Sequence, residues 1–126
     1  MNRRQSLGKW GEGLAASYLQ EQGYAIRGRN LRTPYGEIDI LAQQGECLVF
    51  VEVKTRRNLG MGQPENAITP RKRAHLLASA QSYLQTAALD GDWRVDVISV
   101  TGQPGEKPDL LHFENALDGF GEHDVC

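Results

Sequence analysis

Two short stretches carry acids where apolar residues prevail. GEIDIL (36–41) sets Glu37 and Asp39 among isoleucines and a leucine, and LVFVEVKTR (48–56) sets Glu52 and Lys54 in a valine-rich run. Side chains alternate between the two faces of a strand. In 37–43, Ile38, Ile40 and Ala42 are therefore expected on one face and Glu37, Asp39 and Leu41 on the other. In 47–55, Val49, Val51 and Val53 oppose Phe50, Glu52 and Lys54. Matching the apolar faces gathers Glu37, Asp39, Glu52 and Lys54 on the opposite side. Directly opposed side chains have Cβ atoms about 4.5–5.5 Å apart, and two carboxylates at that distance repel, more strongly half-buried than in water. A divalent cation relieves the repulsion, since Mg²⁺ takes oxygen ligands at about 2.0–2.1 Å and uses one or two carboxylates. Lys54 beside such an ion would position or deprotonate an attacking water. The competing reading is a solvated polar face, with Glu37–Lys54 or Glu52–Lys54 as surface ion pairs. Against it stands the Val49–Val53 run, which suits a strand covered on both faces, where charges are costly unless they serve a site.

Register decides how close the acids come. With Gly45-Glu46 as the two-residue loop of a type II′ turn, which wants glycine first, Asp39 lies opposite Glu52 and Glu37 opposite Lys54. With Gln44-Gly45 as the loop, Glu37 lies opposite Glu52. Both arrangements keep the acids on one face, whereas a one-residue slip would separate Asp39 from Glu52.

The elements that must position this hairpin are legible on either side. Ser6 is a suitable N-cap for a helix over 7–22, with Leu7, Trp10, Leu14 and Tyr18 at helical spacing and Gly23 as its stop. YAIRGR (24–29) reads as a short strand. Residues 56–68 form an irregular loop rich in glycine and proline, and Thr69-Pro70 opens a second helix over 70–88 with Leu77, Ala80, Leu84 and Ala87 as its apolar stripe. WRVDVISVT (93–101) and LLHF (110–113) are the last strands. The order is α-β-β-β-α-β with a terminal β. The second helix must then return the chain to a parallel strand by a right-handed crossover. This predicts an α/β fold, a mixed central sheet flanked by helices, in a single domain spanning 1–126 with 1–6 and 119–126 as flexible tails. Cys47 and Cys126 are not expected to pair, and His75, His112 and His123 form no ligand cluster.

Net charge is −2, but residues 1–73 hold 12 Lys and Arg against 7 Asp and Glu, a balance of +5, while 74–126 hold 2 against 9, a balance of −7. That asymmetry can give an acidic protein a basic face. No apolar run approaches the ~20 residues that span a bilayer, and MNRRQSLGKWGEG lacks the apolar core of a signal peptide. The expectation is a cytoplasmic protein with no membrane partner.

GEIDIL followed after a short spacer by LVFVEVKTR resembles the D-(x)n-ExK core of the PD-(D/E)XK nucleases, the restriction-endonuclease-like superfamily, whose common core is α-β-β-β-α-β. More narrowly, GEGLAASYLQEQGYAIRGRNLR, GEIDIL, FVEVKTR, the Gly62–Pro64–Asn66-Ala67 stretch, Lys72, RVDVISV and FENAL resemble the uncharacterised YraN family, over about residues 7 to 118. The resemblance implies a metal-dependent nuclease hydrolysing phosphodiester bonds in DNA, including branched or processed structures. It implies Asp39 and Glu52, with the Val53 carbonyl, as ligands of Mg²⁺ or Mn²⁺, Lys54 as the residue assisting the water, and Glu12 as the helix glutamate completing the site. Glu37-Ile38 departs from the superfamily's proline-aspartate, and leaves Glu37 open as an extra ligand or a partner of Lys54.

On a helical wheel Glu12 lies away from the Trp10–Leu14–Tyr18 stripe, near Gly8, Ala16 and Leu19, so an exposed glutamate is the competing reading. Lys72 in the first turn of a helix opposes the helix dipole, which points to a phosphate or carboxylate contact. Thr55, Arg56, Arg57 and Lys72 are candidate nucleic-acid contacts; solvated loop charges are the alternative. Asp96 beside Arg94 reads as structural. The partner implied is nucleic acid, as DNA, and the oligomeric state is left open, a dimer being compatible. The alternative to a nuclease is a non-catalytic nucleic-acid-binding or protein-interaction module of the same fold.

Overall fold

The sheet is built outward from the turn at Gly45-Glu46. In the structure, a computed structural model that describes residues 2–58, 68–117 and 126, Gly45 has φ 61° while Glu46 keeps a negative φ, as a type II′ turn requires. β2 (Gly36–Gln44) and β3 (Cys47–Arg56) accordingly pair from Gln44↔Cys47 to Ile40↔Val51. Of the two expected registers, this is the one that aims Asp39 at Glu52. β1 (Ala25–Thr33) lies antiparallel to β2 through the two-residue loop Pro34-Tyr35. β4 (Trp93–Thr101) runs parallel to β3, and β5 (Asp109–Phe113) antiparallel to β4, giving the order β1-β2-β3-β4-β5. The fold is the predicted α/β arrangement: a mixed five-stranded sheet carrying the α-β-β-β-α-β core, with β5 added at one edge.

Two apolar layers hold the helices on opposite faces. Ala15, Ala16 and Leu19 of α1 (Arg3–Glu21) pack on Ile40, Ala42, Val49, Val51, Ile98 and Val100. Leu76 and Ala80 of α2 (Pro70–Thr86) pack on Leu41, Leu48, Phe50, Trp93 and Val95. β3 is thus covered on both sides, which explains its run of valines. Among the described residues, no helix is long and apolar enough to cross a membrane.

Four expectations change. Helix α1 starts at Arg3 rather than 7, because Asn2 caps it: Asn2 Oδ1 accepts from Gln5 N–H (2.8 Å) and Gln5 Oε1 from Asn2 N–H (3.2 Å). This reciprocal pair satisfies two amide donors that Ser6 would have to leave behind, and residues 2–6 are therefore not a tail. Ile38 does not share a face with Ile40 and Ala42; it packs in the α2 layer with Leu41 and Phe50. Asn30, next to the Leu31 that pairs with it on β1, has φ 53°, and the β2–β3 ladder ends at Ile40↔Val51, so strict alternation fails at that point. The buried face of α2 is Leu76, Ser79 and Ala80, with Leu77 and Leu84 only partly covered and Ala87 exposed. Finally, Cys47 and Cys126 are joined as a disulfide with Cα atoms 5.6 Å apart. The last residue folds back onto β3 and its carbonyl accepts from Arg94, a contact that no local pattern announces. The predicted loop and tail, including Gly62, Pro64, Asn66 and Ala67, fall for residues 59–67 and 118–125 outside the described residues.

Helix α1 reaches β3 closely at Gly11, where a Cβ would collide with the Thr55 side chain. Gly11→Ala is therefore expected to destabilise the protein by about 1–2 kcal/mol, overpacking outweighing the improved helix propensity. Urea denaturation measures this; a variant as stable as wild type would contradict the close approach.

Candidate functional site

Past the last ladder pair, β2 and β3 are tied by a side chain. Asp39 Oδ2 accepts a 2.8 Å bond from Val53 N–H, which fixes the carboxylate beside the C-terminal half of β3. Glu52, only 6 % exposed, sits on the α2 side of the same strand, because it follows Phe50 at the two-residue period. Its Oε1 lies 3.4 Å from Lys54 Nζ and 3.2 Å from Lys72 Nζ. Lys72 is delivered by the start of α2, where the Thr69 hydroxyl accepts from Lys72 N–H (3.1 Å) and sets the first turn.

The other two acids approach from the α1 side. With its amide oriented by its neighbours, Asn30 donates to Glu12 Oε1 (2.8 Å) and Glu37 Oε1 (3.1 Å), clamping a helix glutamate to a strand glutamate. The left-handed backbone of Asn30, which asparagine tolerates better than most residues, places it there. Glu12 shares a helix face with Ala16 and Leu19, both buried. Thus the site lies off the carboxyl end of the parallel β3–β4 pair, between α1 and α2, where open α/β sheets form their ligand crevices.

The charges strain one another. Burial pushes the Asp39 carboxyl up to about 7, the Glu52, Glu12 and Glu37 carboxylates add to the rise, and the bond from Val53 N–H opposes it. Glu12 is raised as well, mainly by burial, with Glu37 and Glu52 adding and Arg29 and Lys9 pulling the other way. A crowded, half-buried carboxylate group of this kind takes up positive charge readily, as a proton or as a metal ion.

Of the residues expected at the site, Glu12, Glu37, Asp39, Glu52, Lys54 and Lys72 are brought together, on two sides of the sheet end rather than on one face. Lys54 pairs with Glu52, not with Glu37. Val53 contributes its N–H to Asp39. Thr55 is turned against Gly11 of α1, so its side chain serves helix packing. Arg56 ends β3, its carbonyl accepting from Gly102 N–H (2.8 Å). Arg57 is exposed and lines a hollow of about 260 Å³ with Arg3. Asn30 was not singled out by sequence; an asparagine directly after the predicted strand 24–29 was the available signal.

Among the described residues, no group of three or more His, Cys, Asp or Glu side chains is placed to hold a metal ion, and the Glu52 carboxylate is engaged by two lysines. The donor chemistry nonetheless fits a hard divalent cation. All the candidate ligands are oxygens, Glu52 and Asp39 repel across the strand pair, and Mg²⁺ needs only one or two carboxylates because it retains water.

Comparison with known proteins follows the same residues. The family model described as Uncharacterised protein family UPF0102 matches residues 11–100, which hold Glu12, Glu37, Asp39, Glu52, Lys54 and Lys72. A UPF0102 protein of Dehalococcoides mccartyi is 50 % identical over 116 residues, 90 % of this chain and 94 % of the relative. A UPF0102 protein of Syntrophotalea carbinolica is 46 % identical over 120 residues, 94 % of this chain and 97 % of its own. One from Syntrophomonas wolfei is 45 % identical over 118 residues, 93 % of this chain and all of the relative.

Proposed function

The chain belongs to the uncharacterised protein family UPF0102, and from that premise we propose that it is a metal-dependent nuclease that hydrolyses phosphodiester bonds in DNA, on branched or processed structures. The observation that carries this reading is the Asp39 carboxyl held near neutrality by burial and by three surrounding carboxylates, with two lysines at the same place. Burial is the main cause of the raised Asp39, and the Glu52, Glu12 and Glu37 carboxylates add to it, so a positive charge delivered to this side of the sheet end would be taken up readily.

In this reading Asp39 and Glu52 hold Mg²⁺ or Mn²⁺, with Glu12 and Glu37 alongside and the Val53 carbonyl as a further donor. When bound, such an ion polarises a phosphate oxygen and lowers the pKa of a water to a useful range. The chain's own residues do the rest. Asp39, oriented by Val53 N–H, gives up its proton as the site is loaded. Lys54 and Lys72, partly exposed at the rim, turn their ammonium groups from Glu52 toward the phosphate and stabilise the charge that develops there. Lys54 also orients the attacking water. Asn30 keeps Glu12 and Glu37 from drifting apart.

The test is cleavage by purified protein titrated with Mg²⁺ or Mn²⁺, against branched, nicked, single-stranded and duplex substrates. Asp39→Ala and Lys54→Ala are each expected to lower the rate by at least about 10²–10³. Cleavage that survives both substitutions sinks the proposal. Absence of cleavage with salt-sensitive binding that Glu52→Gln leaves unchanged points to the non-catalytic module.

A further inference from the structure

A groove of about 660 Å³ runs between the β1–β2 turn and α2, lined by Pro34, Tyr35, Gln81, Ser82, Gln85 and Trp93 among others. Its size is that of a small-ligand site, and every residue that lines it is uncharged. Lys54, Lys72 and the acids lie outside it. The groove therefore suits a neutral, flat, hydrogen-bonding group and not a phosphate.

Tyr35 forms one wall and is 55 % exposed, an unusual position for a large aromatic side chain. The backbone that carries it is fixed by hydrogen bonds. Thr33 and Gly36 close a two-residue loop, the Thr33 hydroxyl donates to Gly36 O (2.8 Å) and accepts from Tyr35 N–H (3.1 Å). Gly36 itself rests against α2, where a Cβ would stand 3.4 Å from Ser79 Oγ. A tyrosine side chain, with two torsions to fix, costs little entropy to stack upon. Across the groove Gln81, Ser82 and Gln85 offer amide and hydroxyl groups, which can both donate to and accept from base edges.

None of the acidic-site residues lines the groove; the span between the two follows from the elements that carry them. Tyr35, in the turn that leads into β2, precedes Asp39 by four residues, about 13 Å at strand rise. Ser82 follows Lys72 by ten on one helix, about 15 Å at helical rise. Both paths correspond to about four nucleotides at stacked spacing. Resting on the nuclease reading above, we propose that this groove receives an unpaired nucleobase stacked on Tyr35, so that the site acts on strands with single-stranded character next to the scissile phosphate. A base inside a duplex is already stacked on both sides and cannot enter, so pairing is what the groove discriminates against.

Fluorescence anisotropy with labelled oligonucleotides in EDTA separates binding from hydrolysis, and cleavage in Mn²⁺ is followed alongside. Tyr35→Ala is expected to weaken single-strand binding about 5- to 100-fold, Tyr35→Phe to stay close to wild type, and duplex binding to be the same for all three. Tyr35→Ala binding single strands as wild type does, or losing duplex affinity equally, overturns the groove and leaves the nuclease reading standing. Tyr35-dependent single-strand binding without cleavage by any metal keeps the groove and overturns the hydrolysis. Wild-type protein that binds neither form overturns both.

Discussion

Asp39→Asn is expected to make the metal-free protein more stable near and above neutral pH while removing its hydrolytic activity. The folded protein holds the Asp39 carboxyl at about 7, far above the ~3.9 of an unfolded chain. Between those values the native state binds a proton that the unfolded state has released, so the Asp39 contribution to stability is fully present below about pH 4. It is lost progressively as pH rises through about 7. Asparagine keeps an oxygen to accept from Val53 N–H and carries no charge to repel Glu52, Glu12 or Glu37. The gap between variant and wild type should open across that window and level off above it, at about 1–4 kcal/mol. Urea titrations in EDTA at several pH values measure it, and parallel pH profiles for the two proteins would refute the crowded-acid site. Adding Mg²⁺ should restore wild-type stability by binding the native state, and should do much less for Asp39→Asn. A residue that weakens the fold for the sake of a site is a familiar trade.

Asp96→Ala is expected to cost about 3–5 kcal/mol, the scale for breaking a buried ion pair from one side, and to lower Tm by roughly 10–20 °C. Asp96 is fully buried. Its Oδ1 accepts from Arg94 Nε (2.9 Å) and Asn115 N–H (2.9 Å), and its Oδ2 lies 2.7 Å from His112 Nε2. Burial alone would raise the Asp96 carboxyl, but the bonds from His112, Arg94 and Asn115 outweigh it and hold the group below its ordinary value. That contribution is present above the unfolded value and is lost as pH falls. Arg94 also donates to the Tyr24 hydroxyl (2.8 Å) and Cys126 O (3.1 Å), while His112 Nδ1 is 2.9 Å from the Tyr18 hydroxyl. One carboxylate thus ties together β4, β5, the end of α1 and the C-terminal residue. Without it, among the described residues, Arg94 keeps the Tyr24 hydroxyl, Cys126 O and the exposed Glu114, 3.7 Å away, and His112 keeps the Tyr18 hydroxyl. Thermal denaturation of Asp96→Ala beside Arg94→Met/Asp96→Leu tests the account: the double change removes both charges and should recover much of the loss. A single variant as stable as wild type would refute it.

The identity and order of the strands and the closeness of the hairpin's acids were legible in the sequence, which left two registers open; the structure takes the one with Gly45-Glu46 as its loop. Each depends on residues close along the chain: a period of two, and a glycine whose φ selects the turn. Asp96 beside Arg94 was also recognisable as structural, being two residues along one strand. Fold class followed from order, because a helix between two strands after a three-strand meander leaves few right-handed solutions.

What tertiary structure alone decided is who meets whom across the sheet. Glu12 and Glu37 come together only because Asn30 leaves the strand conformation and reaches both. Lys72 reaches Glu52 only because α2 begins over that end of β3. Ile38 changes face where the ladder stops, so the acids divide between two sides instead of sharing one. His112 and Cys126 join the Arg94–Asp96 pair from far along the chain. Periodicity specifies which face a side chain takes while hydrogen bonding stays regular; it carries no information about contacts between residues tens of positions apart. Those are fixed by packing and charge pairing once the layers close, and most of this site's electrostatics is made of them.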